Sequence, residues 1–198
     1  MSTKLPNTKQ TLVATALQMF AERGYDGVSI AEIAGALGIT KQALLHHFGS
    51  KEKLYGQVLQ ELSERFATLM QPHLAGHQAP AEQYRAIMRD LYRHMQSHKH
   101  DARLILRELL DNKPRIENKQ KWYLRPFLET LADLMQQFSP AGSLTKAEAF
   151  ARTYQIVGAV NYFAVSDPTL KKMFGQDTYG DVEAVFLAQL EALVAGRG

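Results

Sequence analysis

The chain has 198 residues, 45% of them hydrophobic, enough for one large or two modest domains with a real core. It contains no cysteine, which excludes disulfides and thiol catalysis and suits a reducing cytoplasm. A net charge of +3 and a pI near 9.0 fit a polyanionic partner without requiring one. The charge is not strongly segregated, since residues 1–60 carry six Lys/Arg against four Asp/Glu. Any grip on a polyanion must therefore come from a few placed groups. The N-terminal MSTKLPNTKQ lacks the apolar core of a secretion signal. The most apolar later run, Ile156 to Val165, is too short to span a bilayer and is broken by Asn161. A cytoplasmic protein with no membrane partner is expected.

Residues 1–7 read as a frayed arm. The first helix is predicted from Thr8 to Arg23, because Leu12, Val13, Ala16, Leu17 and Phe20 recur at three-and-four spacing. Gly24 stops it. Tyr25 is expected to staple this helix to the pair that follows. Ser29 caps a second helix, and Glu32 three residues on completes a capping box. Ile30, Ile33, Ala34 and Leu37 form its inner side. Gly38 supplies the turn, where glycine is the cheapest residue at positive φ.

Thr40 can cap a third helix through its hydroxyl, and Leu44 and Phe48 turn that helix toward the core. Lys41, Gln42, Ala43, His46 and His47 are left facing outward, with no acid among them. Two helices joined by a glycine turn also occur in all-α proteins that never touch DNA. A polar, acid-free outer face on the second of them is what suits a major groove. The next helix opens at Ser50 with Lys51 and Lys53 flanking a single glutamate. Cations are mildly unfavourable at the positive end of a helix dipole, so an outside anion such as phosphate would relieve them.

That fourth helix runs to the low seventies, with Leu54, Val58, Leu62, Phe66, Leu69 and Met70 in its stripe, and Pro72 and Gly76 end it. A fifth is predicted over 80–97, with Tyr84, Ile87, Met88, Leu91, Tyr92 and Met95 on one face. A sixth spans 101–110, opened by Asp101. A seventh starts after Pro114, as one helix or in two pieces, since Pro126 would kink it. Ser139 to Gly142 forms a loop. The eighth spans 145–165, residues 167–175 form a connector, and the ninth spans 178–195. No strand, repeat or low-complexity segment is found.

The stretch from Thr8 to Leu59 is similar to the tetracycline-repressor (TetR/AcrR) family of bacterial transcription regulators. The similarity rests on ERGYDGVSIAEIA, the turn LGIT, the helix KQALLHHF and the continuation GSKEKLY. Beyond about residue 65 only length and helix count agree. The resemblance implies an all-α fold, with an N-terminal three-helix head carrying a helix-turn-helix and a helical body for effector binding and dimerisation. We place the head at residues 1–49 and the body at 50–198. It also implies a double-stranded DNA operator, a homodimer, and repression relieved by a small molecule. The alternative is an activating or architectural DNA-binding protein with no effector. One departure stands out: where the family very often has tyrosine in the recognition helix, this chain has Leu45. An altered operator preference or a weaker backbone grip is expected.

On this reading Ser29, Thr40 and Lys51 meet phosphate, while Lys41, Gln42, Ala43, Leu45 and His46 face the groove. Gln42 suits adenine, Lys41 guanine, and Ala43 or Leu45 a thymine methyl. His47 either meets phosphate or packs toward the first helix. Dimerisation is placed on the eighth and ninth helices. There Phe150, Tyr154, Val157, Val160 and Phe163, then Val182, Val185, Phe186, Leu190 and Leu193, cover more circumference than one core needs.

Candidates for an effector pocket are Met88, Tyr92, Trp122, Phe127 and Tyr154, with Arg107 and Asn161 as polar anchors. The same stripes equally suit a plain core. Arg103 and Arg107 can bind a carboxylate or pair with Glu108. His94 and His98 share a helix face at metal-ligand spacing, but no HExxH motif, cysteine or third ligand accompanies them. No nucleophile–base pair or Gly-rich phosphate loop is present. The expectation is therefore no catalytic residue, no metal site and no cofactor.

Overall fold

The computed structural model describes residues 8–111, 122–139 and 143–194. Among them lie nine helices and no strand: α1 (Thr8–Arg23), α2 (Ile30–Ala36), α3 (Lys41–Phe48), α4 (Lys51–Leu74), α5 (Pro80–Ser97), α6 (Lys99–Asp111), α7 (Arg125–Phe138), α8 (Lys146–Phe174) and α9 (Gln176–Val194). The all-α class expected from sequence is the class observed. The frayed arm at 1–7, the helix start after Pro114, the loop at 140–142 and the helix end at Ala195 lie outside the described residues.

The chain divides into two compact units, Met1–Glu64 with Arg103–Tyr123, and Arg65–Ala102 with Leu124–Gly198. In the first, the predicted stripe of α1 is buried from Leu12 to Phe20, and Ile30, Ile33, Ala34, Leu44 and Phe48 bury the inner sides of α2 and α3. Tyr25 packs onto α1 and α4. It stacks on Phe20 of α1 at 6.0 Å and meets Tyr55 of α4 edge-on at 5.1 Å. The Tyr55 hydroxyl then donates to Glu108 of α6 at 2.8 Å.

In the second unit all six predicted stripe residues of α5 are buried, and α5 packs against α7, α8 and α9. Pro126 sits in the first turn of α7, at the start of the described helix. A proline costs nothing there, since its missing N–H would have had no partner.

α4 ends at Leu74, in the low seventies and between Pro72 and Gly76, as expected. The expected connector at 167–175 is instead helical through Phe174, and α8 runs 29 residues with Pro168 inside it. Pro168 cannot donate to the carbonyl of Ala164, one turn back. The Lys99 ammonium donates to that oxygen instead, at 3.5 Å, and pairs with Asp167 at 3.1 Å. The predicted helix start at Asp101 also moves, to Lys99. Asp101 is buried at 1% exposure, accepting from Arg65 at 2.9 Å and bonding His94 at 2.8 Å.

Candidate nucleic-acid interface

The start of α2 is fixed by a full capping box. The Ser29 hydroxyl accepts from the Glu32 N–H at 3.2 Å, and the Ser29 N–H donates to the Glu32 carboxylate at 2.8 Å. Arg23, at the end of α1, closes on the same carboxylate at 2.6 Å. The contact with the Ser29 side chain first, and Arg23 next, hold the Glu32 carboxyl down to about 2. The one acid at this edge therefore stays ionised but is matched within the chain. From Glu32 to Glu52 the sequence has no other acid.

The turn follows as predicted, with Gly38 at φ +65. Thr40 caps α3, its hydroxyl oxygen accepting from the Ala43 N–H at 3.1 Å. That bond uses a lone pair and leaves the hydroxyl proton free to give to a phosphate oxygen. Ser29 is less free, because its side chain also meets Glu32.

Leu44 and Phe48 hold α3 from below, at 0% and 8% exposure. Lys41, Gln42, His46 and His47 are exposed above, and Ala43 and Leu45 are half-buried along the edges. The His46 and His47 rings lie 6.0 Å apart, and His47 is exposed beside Phe48. The resulting face offers an ammonium, an amide and two imidazoles. It can donate to guanine O6/N7 and pair bidentately with adenine.

Gly49 at φ +79 ends α3, and the Ser50 hydroxyl accepts from the Lys53 N–H at 3.1 Å to begin α4. The Lys51 ammonium sits over the Tyr25 ring, 4.2 Å from its centre. A cation held on an aromatic face loses less freedom when it meets a phosphate. Sequence reasoning missed this platform. Residues 25 and 51 are joined only by the fold, and no local pattern links them.

The effector candidates are distributed differently. Met88, Tyr92, Phe127 and Asn161 are buried in the second unit, and Tyr154 is 48% exposed there. The Asn161 side-chain oxygen has no hydrogen-bond partner among the described residues. Arg107 and Trp122 belong to the first unit, where Arg107 donates to the Glu22 carbonyl at 3.3 Å and Trp122 is 45% exposed. Glu108 is held by Tyr55. His94 is engaged by Asp101 and stacks on His98 at 4.3 Å.

Residues 12–58, which hold this whole helix pair, match the family described as bacterial regulatory proteins, tetR family. The chain is 38% identical over 61 residues to the HTH-type transcriptional repressor AcnR of Corynebacterium efficiens, covering 31% of this chain and 32% of that one. It is 25% identical over 144 residues to AcnR of Corynebacterium diphtheriae, covering 72% of this chain and 71% of that one. The match to the first of these spans about a third of the relative's length. In architecture the chain is similar to the fatty acid degradation regulator FadR of Bacillus halodurans, with a TM-score of 0.72, 18% identity, and 98% and 97% of the two chains covered. A shared helix-turn-helix signature and a shared all-helical fold along nearly the whole length lead to one conclusion: the chain belongs to the TetR family of bacterial regulatory proteins.

Proposed function

We propose that the chain is a cytoplasmic, sequence-specific DNA-binding regulator that acts as a homodimer and represses transcription until a small-molecule effector releases it. The observation that carries this reading is the exposed, acid-free face of α3 above the buried Leu44 and Phe48. A helix braced from beneath and polar on top has the form that enters a major groove. Lys41, Gln42, Ala43 and His46 read bases, Thr40, Ser29 and Lys51 fix the phosphates, and residues 1–49 serve as the reading head. The relatives' designation as transcriptional repressors favours repression over activation.

Dimerisation is assigned to α8 and α9. Phe150, Tyr154, Val185 and Leu193 are 40–56% exposed on the single chain. Such apolar surface on a folded chain marks a contact with another. A two-fold axis there would set the two copies of α3 about 34–36 Å apart, one turn of duplex.

Selection of bound sequences from random duplexes tests the central claim. The expected product is a palindrome with half-sites one turn apart. Gln42→Ala should relax preference at one base pair by about 1–3 kcal/mol. Failure to enrich any sequence would sink the reading, and equal weakening on every sequence would remove Gln42 as a reader. Sedimentation that finds only monomer at micromolar concentration would remove the dimer.

A further inference from the structure

Within the second unit, α5 and α9 enclose a groove of about 200 Å³ whose floor is Met88, Tyr92, Leu187 and Leu190. Met88, Tyr92 and Leu190 are each no more than 5% exposed. The rim is cationic. Arg85, Arg89 and Arg93 recur every four residues along α5 and all three line the groove. The lining holds one acid, Glu191 of α9, and Arg89 already reaches it at 3.4 Å. Arg93 turns back to Asp90 at 3.2 Å. Arg85 is half-buried and has no acidic partner among the described residues. The Tyr92 hydroxyl is committed to Glu183 and Gln96.

From this arrangement we infer that the α5–α9 groove binds a small amphipathic anion, its apolar tail on Met88, Leu187 and Leu190 and its carboxylate or phosphate head on Arg85 and Arg89. The chemistry of the lining decides the class. A cationic ligand would find one carboxylate, already engaged, among three guanidiniums. A neutral apolar ligand would leave the Arg85 charge unmatched beside an apolar floor, where an unpaired cation is costly. An anionic head answers it, and the planar guanidinium fork takes a carboxylate or a phosphate through two parallel hydrogen bonds. The volume lies below the roughly 300–1,000 Å³ typical of drug-sized ligands, so the tail is short. Arg89 exchanges Glu191 for the ligand, which loosens a link between α5 and α9. This names a place and a chemistry for the effector proposed above, and it rests on that reading only for its consequence at DNA.

The test is calorimetric titration of the full chain, without DNA, using hexanoate, hexyl phosphate, hexanol and hexylammonium. Both anions should bind, with the alcohol and the ammonium at least about tenfold weaker. The ratio between the two anions identifies the head group. Arg85→Gln and Arg89→Gln should each weaken anion binding by about tenfold. Arg125→Gln, on exposed α7 surface beside Glu129, should leave it unchanged. Equal binding of hexanol and hexanoate would overturn the inference. So would full affinity in the Arg85→Gln, Arg89→Gln double variant, or no heat from either anion at millimolar concentration. Because no DNA is present, that failure leaves the regulator reading standing, and loss of operator binding leaves the groove standing.

Discussion

α2 and α3 are seven and eight residues long, whereas α8 runs for 29. Isolated helices of the shorter length do not persist in water, so something other than propensity must hold the pair. Side-chain caps at Ser29 and Thr40, the left-handed Gly38 and a few fully buried chains do so. All of these act at the ends and on the underside. The outer face of α3 is thereby relieved of structural duty, and its residues can be read for what they would touch. In α8 the same separation fails. Val160 and Phe163 are buried, Phe150 and Tyr154 are exposed, and all four are apolar. Composition there cannot tell core from partner surface. A short capped element exposes its function in its sequence, and a long packed one hides it.

The sharpest way to break this contrast is Leu44→Ala. Removing a side chain with 0% exposure should cost about 2–5 kcal/mol, and the cost falls on the helix pair. Because α2 and α3 are so short, far-UV circular dichroism at room temperature should change little while DNA binding, read by fluorescence anisotropy, is lost. A parallel loss of helicity across the chain would show that the pair does not stand on its own supports.

Asp101 probes the second unit. Its carboxylate is 1% exposed, and burial alone would raise its pKa. The hydrogen bond with His94 and the charge of Arg65 outweigh that and hold it below the ordinary 3.8. The unfolded chain therefore takes up this proton first as pH falls. The stabilisation is whole above about 3.8 and drains away as pH drops through the lower folded value. Asp101→Asn should cost about 2 kcal/mol at neutral pH, less than a fully buried pair because Arg65 remains 35% exposed. Denaturant melts from pH 7 to pH 2 should show the acid limb flattened in the variant. An unchanged limb would place the acid sensitivity elsewhere.

The head was legible because its determinants are local. Capping boxes, a glycine turn and a three-and-four stripe all lie within a few residues of what they control. The body resisted for the opposite reason. Residues 167–175 read as a connector until Lys99, distant in sequence, is seen covering the Ala164 carbonyl beneath Pro168. Asp101 reads as an exposed helix opener until Arg65 and His94 are found on it. Tyr25 and Lys51 are joined by tertiary packing alone. The arginines of α5 gain an apolar neighbour only when α9 places Leu187 and Leu190 beside them.

A smaller effect separates capping from contact at Thr40. Thr40→Ala loses the bond to the Ala43 N–H and should destabilise by about 1 kcal/mol. Thr40→Ser keeps the hydroxyl and should restore both stability and DNA affinity. If serine restores the melting temperature but not the affinity, the threonine methyl, not the hydroxyl, is what the duplex meets.

The least disruptive change tests position 45. Leu45 is half-buried on α3, between the exposed polar face and the core side. It contributes apolar surface and no donor. Leu45→Tyr adds a phenol hydroxyl at the end of a ring that can lie along the same edge. One new neutral hydrogen bond is worth about 0.5–1.5 kcal/mol. If that bond goes to phosphate, affinity rises by the same factor on every duplex, and the salt dependence keeps its slope because no cation has been added. If it goes to a base, the gain appears on one sequence class alone. Anisotropy titrations at two salt concentrations on the selected site and on a scrambled duplex distinguish these. A tyrosine variant that binds no tighter and melts lower would mean that Leu45 serves packing, and that the reading edge of α3 ends at Gln42 and His46.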